Sequence, residues 1–181
     1  MISIDGYAHV RCLFCETGKE NSVVNTIHAK GWGYAIFAQS VKVVWRKLDW
    51  AETAAPLMPG YVFVYSDEEE ERHANYSNTE HVIRVLKYND GGEILTGADL
   101  EFADWLWRID GKVGRMKALR IGERVEIIDG MFKALHGTII KMNRRRKKMC
   151  VSIEMQGNPM KIWLSYELVG EMDEDAQKDG D

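Results

Sequence analysis

Three groups of side chains in this 181-residue chain have the types and spacing that chemistry requires. The first is Cys12-x-x-Cys15, a spacing used by zinc ligands and by dithiol redox pairs. Its surroundings argue against both uses. His9 to Cys15 is apolar and β-rich, and on a strand positions i and i+3 point to opposite faces, so the two thiols cannot chelate one ion. No second pair follows, since Cys150 lies far along the chain, and two buried core cysteines are the favoured reading. The five histidines show no H-E-x-x-H spacing, and no serine has a G-x-S-x-G setting. Gly31-Trp32-Gly33 lacks the third glycine of a phosphate loop and follows a predicted helix. No catalytic residue, metal or cofactor is expected.

The second group is the acidic run Asp67–Glu71, which a capped helix start explains without an ion. The third is Lys141-Met142-Asn143-Arg144-Arg145-Arg146-Lys147-Lys148, with six basic residues in eight and no acid. It lies between Thr138–Met142 and Met149–Met155, two runs that read as the strands of a hairpin. Six neighbouring like charges repel one another and destabilise a turn, so a solvated loop is a poor account of them. Binding of a polyanion is the better one. The aromatic and sulfur side chains of Phe14, Met58, Tyr61 and Phe63 are core material by type, yet strand parity puts Tyr61 and Phe63 on one face. If that face is uncovered, it is a partner surface.

These groups need elements to position them. A strand at His9–Cys15 runs into Thr17-Gly18-Lys19-Glu20, a capping-box spacing. A helix of about three turns should follow, burying Val23, Val24 and Ile27 and ending at Gly31. Strands are predicted at Tyr34–Ala38, Val41–Leu48, Tyr61–Tyr65 and Val82–Tyr88. A short helix capped at Ser66 is predicted before the last of these, and a turn over Asn89–Gly92 after it. A helix over Thr96–Ile109 should bury Leu100, Ala103 and Trp107. The order predicts an α+β unit, a mostly antiparallel sheet flanked by helices, over residues 1–108. Residues 109–120 read as a short basic linker. Residues 121–170, punctuated by turns at Asp129-Gly130, Asn143–Lys147 and Gly157–Pro159, read as a small five-stranded β-barrel. Residues 171–181 read as a disordered acidic tail.

Charge follows the same divisions. Residues 1–117 hold 13 Lys+Arg against 17 Asp+Glu, residues 118–170 hold 10 against 5, and residues 171–181 hold 1 against 6. A formal net charge of −4 therefore hides a basic module between two acidic stretches. No apolar run approaches the roughly 20 residues of a membrane span. The start of the chain lacks the basic region of a secretory signal, and three cysteines make no even disulfide set. A reduced, cytoplasmic protein with no membrane partner is expected.

The quoted residues carry a resemblance to the NusG family of transcription factors, whose members join an NGN domain to a KOW domain. Val10–Glu20 resembles the family's opening strand and helix start, and Met58-Pro59-Gly60-Tyr61-Val62-Phe63-Val64 resembles its Pro-Gly-Tyr strand. Gly122–Phe132 followed by Leu135–Ile140 is similar to the KOW pattern. The resemblance implies an NGN domain that binds the clamp region of RNA polymerase through an apolar cavity at Phe14, Met58, Pro59, Tyr61 and Phe63. It also implies a KOW barrel that holds nascent RNA, here through Lys141, Arg144, Arg145, Arg146, Lys147 and Lys148. Met155-Gln156-Gly157 lacks the aromatic with which general members meet a ribosomal protein, which counts against ribosome contact. With the basic loop, this resembles the specialised LoaP-like branch, antiterminators that recognise a leader RNA hairpin. A monomer is expected. The rival readings are a general elongation factor, an RNA-binding barrel protein without polymerase contact, and an enzyme built on Cys12 or Cys150.

Overall fold

The computed structural model describes residues 7–46, 49–67, 76–121, 124–128 and 136–172. The first sheet uses β1 (His9–Cys15), β2 (Tyr34–Ile36), β5 (Tyr61–Ser66) and β6 (Val82–Val85), in the order β2-β5-β1-β6 and antiparallel throughout. Helix α1 (Glu20–Lys30) covers one face and α2 (Gly97–Arg108) the other. Against α1 lie Leu13, Cys15, Val62 and Val64, packed on the fully buried Val23 and Ile27. Burying each of these aliphatic side chains stabilises the fold by about 1.5–3 kcal/mol. Against α2 lie Val10, Cys12, Phe63 and Tyr65. Cys12 and Cys15 thus sit on opposite faces of β1, as the period-two geometry of a strand requires.

Helix α1 stops at Gly31, which takes the left-handed conformation at φ 63°. The Gly31 N–H donates to the His28 carbonyl and the Trp32 N–H to the Ile27 carbonyl, closing a Schellman motif. Its start differs from the capping-box expectation: Glu20 opens the helix after Lys19, and no side chain caps it. Helix α2 is buried through Phe102, Ala103 and Leu106, with Leu100 and Trp107 on the flanks of that stripe. Trp107 fills the edge of the sheet among Tyr7, Tyr34 and Tyr65, at ring separations of 4.9, 4.8 and 4.8 Å.

A hairpin of β3 (Gln39–Arg46) and β4 (Asp49–Pro56) adds a second sheet, closed by the parallel pairing of β3 with β7 (Lys112–Val113). The sequence reading gave one strand here and missed β4, whose Ala51, Ala54, Ala55 and Pro56 are poor strand formers. The helix expected after Ser66 lies largely outside the described residues.

The C-terminal sheet has the order β10-β11-β12-β8-β9, from β8 (Met116–Ile121), β9 (Arg124–Ile127), β10 (Thr138–Asn143), β11 (Lys148–Met155) and β12 (Asn158–Met172). All its pairings are antiparallel except β12 with β8. It forms the β-rich, barrel-like second half of an α+β protein. The stretch 109–120, expected as linker, carries β7 and β8. Glu171 and Met172, expected in the tail, close β12, where Glu171 meets Arg120 at 2.9 Å. The Asp129-Gly130 turn and residues 173–181 lie outside the described residues. One apolar cluster runs from the α2 side of the first sheet into the C-terminal sheet through Met149, Val151, Ile153, Met155, Ile162, Leu164 and Tyr166.

Candidate functional site

Two surfaces contain the residues singled out by the sequence. The first is the end of the four-stranded sheet where β1 finishes and β5 begins. Gly60 turns the chain into β5 at φ 87°, and its carbonyl accepts the Cys15 N–H at 2.7 Å. A Cβ at Gly60 would lie 2.8 Å from the Cys15 carbonyl oxygen and 2.9 Å from Phe14 Cε2, so only glycine fits. The Gly60 N–H donates to Glu20 Oε1 at 2.7 Å, and Glu20 is 2% exposed. The carboxylate at the start of α1 therefore pins the Met58-Pro59-Gly60 turn. Sequence reasoning assigned Glu20 to a cap, because the partner that claims it is 40 residues away.

Around this turn Pro59 is exposed, while Phe14 and Tyr61 are half-buried and meet edge to face at 5.2 Å. The Arg84 guanidinium lies 5.6 Å from the Phe14 ring centroid, a cation–π contact the sequence did not signal. Met58 and Phe63 are buried beneath, Phe63 against Phe102 at 5.6 Å. The five residues thus form one patch with a half-open rim and a closed floor. Burial raises the Tyr61 hydroxyl above its usual range, with nearby Cys12 adding to the rise and Arg84 opposing it.

The second surface is the β10–β11 hairpin. Asn143 Oδ1 accepts the Arg146 N–H at 3.0 Å, the Lys147 N–H donates to the Arg144 carbonyl at 3.3 Å, and Lys147 takes φ 49°. The Asn143 side-chain cap, an i to i+3 backbone turn and a left-handed residue thus fix the loop that carries Arg144, Arg145, Arg146 and Lys147, all exposed. The Lys147 carbonyl accepts the Tyr166 N–H at 2.9 Å, tying the loop to β12. Lys141 is exposed and Lys148 half-buried on the flanking strands. All six cations stand on one hairpin, four of them on a single turn, where charge is neither buried nor offset by a neighbouring acid in the run. The sequence reading left out Trp163, which is 47% exposed on β12 between buried Ile162 and Leu164. That alternation beside Lys161 was a usable signal.

The two surfaces belong to units that meet at the β11–β12 turn. Gln156 and Gly157 both have positive φ, 47° and 75°, which is the type I′ pattern of a two-residue hairpin loop. The Gln156 N–H donates to Asp99 Oδ2 at 3.1 Å, and its side-chain amide reaches the Leu86 carbonyl at 3.5 Å. Asp99 also accepts the Tyr88 hydroxyl at 2.8 Å. His136 Nε2 and Glu101 Oε2 lie 2.7 Å apart near by. A cleft of about 340 Å³ opens between these elements, lined in part by Tyr88, Phe102, His136 and Met155.

The two thiols of β1 hold their protons tightly. Burial holds Cys12 well above the ordinary thiol range, with Asp99 and Cys15 adding to it. Burial, then Glu20 and Glu16, push Cys15 up to about 11. Such thiols stay protonated near neutrality and make poor nucleophiles and ligands. Among the described residues no three His, Cys, Asp or Glu side chains gather as a metal site, and no helix is long and apolar enough to cross a membrane.

Among solved structures, the chain is similar to one described as domain interaction in Thermotoga maritima NusG, with 19% identity, 87% of this chain and 93% of that chain covered, and a TM-score of 0.49. It is also similar to a crystal structure of the MjSpt4:Spt5 complex, with 9% identity, 87% and 99% covered, and a TM-score of 0.29. No curated protein matches it. The family model described as transcription termination factor nusG matches residues 10–101, which run from β1 into the start of α2 and make up just over half of the chain. The chain belongs to the NusG family of transcription factors.

Proposed function

We propose that this NusG-family chain is a cytoplasmic, non-enzymatic elongation and antitermination factor that acts as a monomer. Its N-terminal unit holds the clamp region of RNA polymerase, and its C-terminal sheet holds nascent RNA, a hairpin in the transcript leader. The observation that carries the reading is the Arg144–Lys147 turn, four exposed cations fixed by the Asn143 side chain on a two-strand support. A turn held in this way has already given up the freedom that binding would otherwise remove. Three guanidinium forks can grip phosphates bidentately or read guanine edges, while Lys141, Lys147 and Lys148 act as point charges. Regular A-form RNA has a major groove too narrow for these side chains, so the hairpin must open it with a bulge or loop.

The polymerase contact rests on family membership and on the rim of Phe14, Pro59 and Tyr61, with Met58 and Phe63 shaping it from beneath. Ribosome contact forms no part of the proposal, because the β11–β12 turn has no aromatic and its Gln156 is engaged with Asp99 and Leu86.

The test is transcription with purified polymerase on a template carrying the leader hairpin upstream of a terminator. Wild-type protein should raise read-through, and the Arg144→Ala, Arg145→Ala, Arg146→Ala triple variant should not. Equal read-through on a template without the hairpin would replace this reading with that of a general elongation factor. RNA binding with no capture of polymerase would reduce it to an RNA-binding barrel protein.

A further inference from the structure

The outer face of the C-terminal sheet carries an arrangement that the basic turn alone does not explain. Lys141, Cys150 and Trp163 stand directly opposite one another on β10, β11 and β12, and so point to the same side. The inner side of these strands is taken by Met149, Val151, Ile162 and Leu164, all in the apolar core, while Cys150 is not part of that core. Cys150 is nonetheless 4% exposed, as a small thiol between two long side chains would be. Trp163 itself is 47% exposed. Among the residues whose side chains are described, the exposed large apolar ones are Ile83, Ile128, Ile140, Trp163 and Val169, and Trp163 is the aromatic one.

Its neighbours are cationic. Lys161 lies two residues along β12 on the same face and is exposed. Lys148 is opposite Ser165 on the adjoining row, which is also the last row before the Arg144–Lys147 turn. The indole is therefore about 7 Å along the strands from that row. The acids on this face of β11 and β12, Glu154 and Glu167, stand four residues from the Cys150–Trp163 pair along their strands. A protein partner would find a small apolar area crowded by lysines. An aromatic plane ringed by cations instead matches the combination that holds unpaired nucleotides, in which bases stack and phosphates are neutralised.

We infer that Trp163 is a stacking platform for an unpaired base of single-stranded RNA, with Lys141, Lys148 and Lys161 holding the flanking phosphates. This deepens the RNA reading of the C-terminal sheet and rests on it. The platform extends the site from the charged turn onto the sheet, so that the turn grips paired RNA while the indole takes a nucleotide outside the helix. Stacking is sequence-tolerant, because every base offers a π-face.

The test uses the full chain with three probes: a short single-stranded oligouridylate, a blunt RNA duplex, and heparin, a polyanion without bases. Trp163→Ala should weaken oligouridylate binding at least about fivefold, the low end of what one base–aromatic stack contributes. Trp163→Phe should retain most of the affinity. Heparin binding, duplex binding and the salt slope should stay at wild-type values in both variants, and unchanged melting curves should show that the sheet is intact. The Arg144→Ala, Arg145→Ala, Arg146→Ala variant should do the opposite, losing heparin and duplex affinity together. Wild-type affinity of Trp163→Ala for oligouridylate would overturn the platform while leaving the basic turn's role standing. An equal loss on heparin would also overturn it, since stacking cannot act on a ligand without bases. Loss of polymerase capture with RNA binding intact would assign the indole to a protein interface instead. Failure of the wild-type chain to bind any of the three probes at low salt would overturn the RNA reading itself, and the platform with it.

Discussion

Truncating Glu20 to Ala removes the acceptor of the Gly60 N–H, 2.7 Å away, in a place where water cannot substitute because Glu20 is 2% exposed. The expected loss is about 1.5–3 kcal/mol, the range for a hydrogen bond to a charged group, read as a lower urea midpoint with an unchanged slope. Glu20→Gln keeps a carbonyl acceptor and should lose less. Gly60→Ala should cost about 1–3 kcal/mol for a different reason, a side chain forced into positive φ against Cys15 and Phe14. If both single variants melt like wild type, the turn is not pinned in this way. A pH effect belongs to the same scale. Cys15 is raised from 9.0 to about 11 by burial, Glu20 and Glu16. Tyr34 is raised from 10.0 to about 12, first by its hydrogen bond to Asp110 and then by burial. Both groups hold their protons more tightly folded than unfolded, so their contribution is complete below about pH 9 and is lost as pH rises from there to about 12. Urea melts at rising pH should show stability flat up to about pH 9 and falling beyond it. A curve that is flat throughout would remove these two groups from the account.

At the scale of elements, the contact between the first unit and the C-terminal sheet adds a carboxylate and a tight turn to the shared apolar cluster. Asp99 takes both the Tyr88 hydroxyl and the Gln156 N–H, so Asp99→Ala should shift the Gln156 amide resonance and speed its hydrogen exchange. Glu101→Gln should change melting by no more than about 1 kcal/mol, because the Glu101–His136 pair is half exposed on both sides and screened by solvent. Elements with a local signature were legible in the sequence. β1, α1 with its Gly31 stop, and β5 show alternation, periodicity and a turn residue within a few positions. β8 was not, although Met116-Lys117-Ala118 alternates, because its partner β12 lies some 50 residues downstream and its setting reads as a basic linker. The buried stripe of α2 was misjudged because the aromatic residues that cover its flank come from Tyr7, Tyr34 and Tyr65 on other elements. The candidate site divides in the same way. The cationic run declares itself by composition, whereas Glu20, Arg84 and Trp163 acquire their roles from partners that only the folded chain brings near.

For the whole molecule, charge is the quantity that reaches beyond contact distance. Residues 118–170 carry 10 Lys+Arg against 5 Asp+Glu in a chain of net charge −4, so the proposed attraction to RNA should be local to one end and sensitive to salt. Each phosphate neutralised gives a slope of about −0.7 to −0.9 in log K against log salt. The Arg144→Ala, Arg145→Ala, Arg146→Ala variant should therefore flatten the slope by about two to three units. Polymerase binding, placed on the other unit, should be unchanged, and an unaltered salt slope would remove the turn from the RNA contact. The pairing of β8 with β12 has a mechanical consequence. The two strands run side by side in the same direction, with Met116 beside Tyr166 at one end and Ile121 beside Met172 at the other. Tension applied between the first unit, which enters at Met116, and a load beyond Met172 pulls the strands past each other along their length. Their hydrogen bonds then resist together in shear, instead of opening singly like a zipper.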